Sequence, residues 1–124
     1  MEKQRGHYLG TEIEGKWWRR YMRDGFFARG NGEYWYDERA FYFRRYLTRD
    51  PLVIPFRRVS EVQVGRWHAG RWAWGTLIVK LIWKKDDLFL SSGFVLSRGE
   101  SQTRQLLIED LERRLSRSYI QSRL

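Results

Sequence analysis

The sequence predicts a mainly β domain of about seven antiparallel strands, bent into a sandwich or partly open barrel and capped by one C-terminal amphipathic helix. Three observations point there. Aromatic and β-branched residues recur in short alternating segments between residues 16 and 96, the period-2 pattern of strands with one buried face. The period changes after residue 97, where Leu107, Ile108, Leu111, Leu115 and Tyr119 fall on one stripe at helical spacing. Glycines at 65, 70 and 75 divide a tryptophan- and arginine-rich connection between two strand-like segments, which marks a tight excursion from the sheet.

The elements follow in order. Residues 1–14 carry mixed charge with little periodicity and read as a loosely held arm, leaving residues 15–121 as one domain and 122–124 as a tail. Residues 16–22, Lys-Trp-Trp-Arg-Arg-Tyr-Met, alternate as a first or edge strand whose arginine stems cover apolar surface. Gly30-Asn31-Gly32 is the strongest turn signal. Residues 33–37 and 40–47 form an aromatic hairpin about Asp37-Glu38-Arg39. Pro51 and Pro55 bracket a short apolar strand and place it at a sheet edge, since proline cannot donate to a ladder. Residues 58–64 alternate, and residues 76–83 align Leu77, Val79, Leu81 and Trp83. Lys84-Lys85-Asp86-Asp87 is a charged turn. Residues 88–96 form the last strand, and its Ser91-Ser92-Gly93 centre predicts a bulge or a close approach. Ser97 with Glu100 has capping-box form, and Ser101 is a second cap candidate, so the helix is expected over about 100–121. Glu109 with Arg113 and Asp110 with Arg114 are expected to pair on its solvent side.

Composition narrows the function. The 124 residues suffice for a real core. The absence of cysteine excludes disulfides and thiolate metal sites. The hydrophobic run Leu77 to Val79 is broken at once by Lys80, far short of a membrane span. With no apolar leader, the expectation is a cytoplasmic protein, peripheral at a membrane surface if lipid is its partner. A net charge of +9, in which 19 of 24 basic residues are arginine, attracts polyanions of any kind. No Ser-His-Asp set, phosphate loop or paired carboxylates can be assembled, so no enzyme, cofactor or metal site is expected.

The candidate site residues are Arg66, Trp67, His68, Arg71 and Trp72 in the glycine-spaced connection, with Lys16, Arg19 and Arg20 on the first strand. Flat guanidinium groups beside large indoles suit an anionic or planar ligand. The same tryptophans, with Trp74, would equally plug an open end of the sandwich, and His68 would then be structural.

The segment from Gly32 through Phe43 (Gly-Glu-Tyr-Trp-Tyr-Asp-Glu-Arg-Ala-Phe-Tyr-Phe), then Pro-Leu-Val-Ile-Pro-Phe at 51–56 and Val-Ser-Glu-Val at 59–62, resembles the GRAM and bacterial PH-like pattern. There an aromatic hairpin leads to an Ile-Pro strand and a valine-rich one. The resemblance spans residues 16–115 and implies the PH superfold, a bent β-sandwich with a helix over one open corner. Lys16, Arg19, Arg20 and Arg23 match in type the first part of the basic motif of phosphoinositide-binding members, but Gly30-Asn31 stand where its second part belongs. The helix also has no tryptophan at the positions of Leu107, Ile108 and Leu111. The resemblance therefore implies a non-enzymatic binding or scaffolding module whose partner is an acidic protein or an anionic lipid surface. Single-stranded nucleic acid, stacked on exposed tryptophans, is the alternative, and self-association into a homo-oligomer is the third reading.

Overall fold

The computed structural model describes residues 2–73, 75–96 and 108–116. Among the described residues, ten strands lie in two sheets: β1 (Gln4–Ile13), β2 (Lys16–Arg20), β3 (Gly30–Tyr36), β4 (Ala40–Arg45), β5 (Leu52–Pro55), β6 (Val59–Gly65), β7 (Trp67–His68), β8 (Arg71–Trp72), β9 (Ile78–Lys85) and β10 (Leu88–Val95). The main antiparallel sheet runs β5-β4-β3-β1-β10-β9-β6, with β2 paired to β1 outside this path, while β7 and β8 pair only with each other. Residues 108–116 are helical and are termed α1.

Chain length alone forces this sheet to bend. Seven strands laid flat would span roughly 29 Å across the ladder, yet its two edge strands, β5 and β6, are joined by a single 3-10 turn at Phe56–Arg58. The edges must therefore approach one another. No described ladder joins them, so the sheet is strongly coiled without closing into a barrel. The inner face holds the core. Tyr8, Phe41, Phe43, Phe56, Phe94, Trp83, Leu81, Leu90 and Ile54 are each at most 2% exposed, and the Phe94 ring meets those of Tyr8, Phe41 and Phe43 at 4.8–5.6 Å between centroids. A polar chain crosses this core without an unmet group: the Tyr8 hydroxyl lies 2.5 Å from Thr11 Oγ1, which lies 2.7 Å from Ser92 Oγ, which accepts from Trp83 Nε1 at 3.0 Å.

The expected arm at residues 1–14 is a ten-residue strand at the centre of the sheet, paired with β10 along one edge and, along the other, with β3 through residues 4–8 and β2 at residues 12–13. Its periodicity is hidden by a bulge at Leu9-Gly10, where the β10 register shifts between Tyr8 and Thr11. Tyr8 and Thr11 consequently both face the core, while Leu9 packs outside with Ile78 and Val95. A second bulge in β6, between Val59 and Glu61, likewise puts Val59 and Val62 on the core side.

Gly30-Asn31-Gly32 is strand and not a turn. Gly32 pairs with Gly6, and a Cβ there would lie 2.2 Å from the Arg44 carbonyl oxygen. The glycine serves close approach of β4, and the reversal comes earlier, at Asp24 and Gly25, with φ of 55° and 87°. The edge position of the proline-flanked strand is as expected, since among the described residues β5 pairs only with β4. The charged turn also stands: Asp86 and Asp87, both with positive φ, close the two-residue reversal between Lys85 and Leu88.

The described helix buries Ile108 and Leu111 and packs Leu115 against the core, as the stripe requires. Leu107, Tyr119, the serine caps and the predicted helix ends lie outside the described residues. Asp110 and Arg114 pair at 3.4 Å, but they dock the helix where a purely solvent-facing role was expected. Asp110 accepts from the Tyr36 hydroxyl at 2.7 Å, and Arg114 pairs with Glu38 at 2.8 Å while lying 5.1 Å over the Tyr36 ring. Burial alone would raise the Asp110 carboxyl, but Tyr36, Arg114 and Arg113 overcome it and hold the group below the usual carboxylate range.

Candidate basic and aromatic face

Residues 65–73 of the connection fold back over the outer face of the sheet as hairpin β7–β8. Trp67 pairs with Trp72 and His68 with Arg71, leaving Ala69 and Gly70 as the turn. Both turn residues have positive φ, 52° and 77°, as a two-residue reversal that follows the strand twist requires. Arg66 ties the base by donating to the Gly75 carbonyl.

The residues that enter the fold here are His68 and Ala69, both fully buried. The plug expected of the tryptophans does not form: Trp67 and Trp72 are 51% and 55% exposed, and Trp74 lies outside the described residues. His68 fits its socket because β10 has a glycine beneath it. A Cβ on Gly93 would lie 2.4 Å from His68 Cδ2, so the predicted close approach at Ser91-Ser92-Gly93 is made by a ring. The imidazole Nε2 lies 2.9 Å from the Gly10 carbonyl oxygen at the β1 bulge. A carbonyl only accepts, so Nε2 carries the proton. Nδ1 is buried and without a hydrogen-bond partner, and Glu12 Oε1 is 3.8 Å away. The other Glu12 oxygen accepts from the Ala69 amide at 2.8 Å. Burial dominates the ionisation of His68 and lowers its pKa from 6.5; Glu12 and the Gly10 carbonyl oppose this, while Lys80 and Arg20 reinforce it.

Beside this hairpin lies β2, and its ladder with β1 is irregular. Ile13 pairs with Lys16, but the next pair is Glu12 with Arg20, so Trp17, Trp18 and Arg19 are thrown outward as extra residues. That defeats the simple alternation expected of residues 16–22. Trp17 and Trp18 are 52% and 63% exposed and meet edge to face at 5.8 Å. Trp17 also leans on the hairpin turn: a Cβ on Gly70 would lie 3.2 Å from its Cε3. Arg20 clasps both parts by donating to the carbonyls of Trp17 and Ala69.

The two sequence-predicted patches are therefore one face. It presents four half-exposed indoles together with the exposed side chains of Lys16, Arg19, Arg66 and Arg71. Among the described residues, no carboxylate lies within ion-pair distance of Lys16, Arg19 or Arg71. Arg20 and Arg66 spend their guanidinium groups on backbone carbonyls, and His68 lies beneath the surface. Sequence reasoning missed Gly10 and Glu12 because they sit in the presumed arm. The one signal there was the run Tyr-Leu-Gly-Thr-Glu-Ile at 8–13, whose apolar and β-branched residues favour a strand.

A coiled antiparallel sheet with one helix packed on its core is the PH-like fold, a class built around binding and scaffolding. The family model for bacterial PH domain-like proteins matches residues 1–110, and the chain belongs to that family. The match begins at residue 1, in keeping with a first strand that is integral to the sheet. No curated protein matches the chain. Among the described residues, no group of three or more His, Asp or Glu side chains is placed to hold a metal ion, and no helix is long and apolar enough to cross a membrane.

Proposed function

We propose that this domain is a binding module that engages an acidic surface, namely the anionic lipid headgroups of a membrane, through the joined face of β2 and β7–β8. The observation that supports this reading is the contact of Trp17 with Gly70, which brings β2, carrying exposed Trp17, Trp18, Lys16 and Arg19, against the hairpin that carries exposed Trp67, Trp72, Arg66 and Arg71. Indole rings suit the headgroup layer, where one part of the ring is apolar and the N–H stays wet. Lysine and arginine near an anionic surface contribute about 1 kcal/mol each. An acidic protein or a single-stranded oligonucleotide would use the same groups, so these partners are separate outcomes of the test.

The test is co-sedimentation with phosphatidylglycerol-containing vesicles, set beside titration with a single-stranded oligonucleotide, each at two salt concentrations. The informative variant replaces Lys16, Arg19 and Arg71 together with Gln, sparing Arg20 and Arg66 because these hold the backbone. The expected result is a loss of vesicle affinity on the order of 100-fold at an unchanged melting temperature. Wild-type vesicle binding unaffected by the triple substitution would overturn the reading. Strong oligonucleotide binding with tryptophan quenching and no vesicle binding would replace it with the nucleic-acid one.

A further inference from the structure

We propose that Glu12 and His68 form an acid-released latch that holds hairpin β7–β8 on the sheet and thereby regulates the face described above. The membrane consequence rests on the lipid reading; the latch itself does not.

The hairpin is held from below by a small number of contacts, and His68 is central to them. Its ring occupies the space over Gly93, its Nε2–H donates to the Gly10 carbonyl, and the neighbouring Ala69 amide donates to Glu12. The remaining ring nitrogen is buried and makes no hydrogen bond. Protonation there would place a cation in a socket closed to water. The charged groups around it come from three strands: Glu12 of β1, 3.8 Å away, favours the cation, while Arg20 of β2 and Lys80 of β9 oppose it. Across the hairpin ladder stands a further cation, Arg71, and β10 offers only Gly93. Glu12 is already engaged by the Ala69 amide and makes no hydrogen bond to Nδ1.

Once the hairpin lifts, His68 meets water and titrates near its ordinary value of about 6.5. Its pKa is lower in the closed form than in the open one. The open form therefore binds more protons as pH falls below about 6.5, and the closed form loses up to tenfold in relative population per pH unit until the closed-state pKa is passed. Above about 6.5 the latch is fully set. Opening would draw Ala73, which follows β8, away from Leu9, Ile78 and Val95, free Trp67 and Trp72, and add the His68 charge to the basic face. Acid should accordingly strengthen attachment to an anionic membrane.

The test follows hydrogen exchange of the full chain between pH 7.5 and 5.0, corrected for the intrinsic rate, comparing residues 66–72 with the β1 and β10 amides. In the wild type, protection of residues 66–72 should fall about tenfold or more below pH 6.5, while the β1 and β10 amides hold. His68→Gln retains an N–H for the Gly10 carbonyl but does not titrate, and its profile should be flat. Should that variant fold poorly, Glu12→Gln removes the one favourable charge and should deepen the loss. A flat wild-type profile, or a parallel fall in His68→Gln, overturns the latch. In a second arm, binding to phosphatidylglycerol vesicles, whose charge is constant over this range, should tighten at pH 5.5 in the wild type and not in His68→Gln. Exchange that responds to pH without vesicle binding at any pH would keep the latch and reject the lipid reading.

Discussion

Leu111→Asp should unfold the domain or bring it to the edge of unfolding. Leu111 is fully buried in the main core on the inner side of α1. The substitution removes about 1.5–3 kcal/mol of apolar burial and forces either a bare carboxylate or a protonated acid into the hydrophobic core. The combined cost is about 4 kcal/mol or more, against a margin of about 5–15 kcal/mol for a domain of this kind. Glu112→Ala, one residue on and exposed, should change stability by less than about 0.5 kcal/mol. Urea unfolding of the two variants checks this, and equal midpoints would show that α1 does not close the core.

Gly93→Ala should destabilise by roughly 2–3 kcal/mol, a large effect for one added methyl. The new Cβ would lie 2.4–2.8 Å from three atoms of the His68 ring, so the fully buried imidazole must be displaced, and the hairpin that carries it with it. The penalty belongs to the ring and not to the strand. In a His68→Ala background the same glycine substitution should cost nothing, or gain about 0.5–1 kcal/mol, as alanine usually does over glycine within a strand. A double-mutant cycle read by thermal or urea unfolding measures this coupling. Additive effects would place His68 elsewhere.

Much of the fold was legible because alternation survives wherever strands are regular: Val79, Leu81 and Trp83 turn inward together as their spacing demands, and so do Ile108 and Leu111 on the helix. What escaped the sequence was irregular. The bulge at Leu9-Gly10 breaks the period that would have announced β1, and Gly30-Asn31-Gly32 carries turn residues for a reason that lies on another strand, the Arg44 carbonyl. The candidate site was half legible. Its arginines and tryptophans stand out by type, but the meeting of residues 17–20 with residues 69–70 depends on an offset in the β1–β2 ladder that no local pattern encodes. The buried partner, Glu12, is visible only once β1 is in place.

On the proposed function, β2 and β7–β8 make one face whose indoles enter an anionic membrane surface. Tryptophan quenching by vesicles carrying brominated acyl chains tests it most directly, comparing the wild type with the variant in which Trp17, Trp18, Trp67 and Trp72 are all Phe. The expected result is marked quenching of the wild type and little or none of the variant, whose remaining tryptophans are Trp35, Trp74 and Trp83. Bound wild-type protein that is not quenched, or equal quenching of the two proteins, would contradict it.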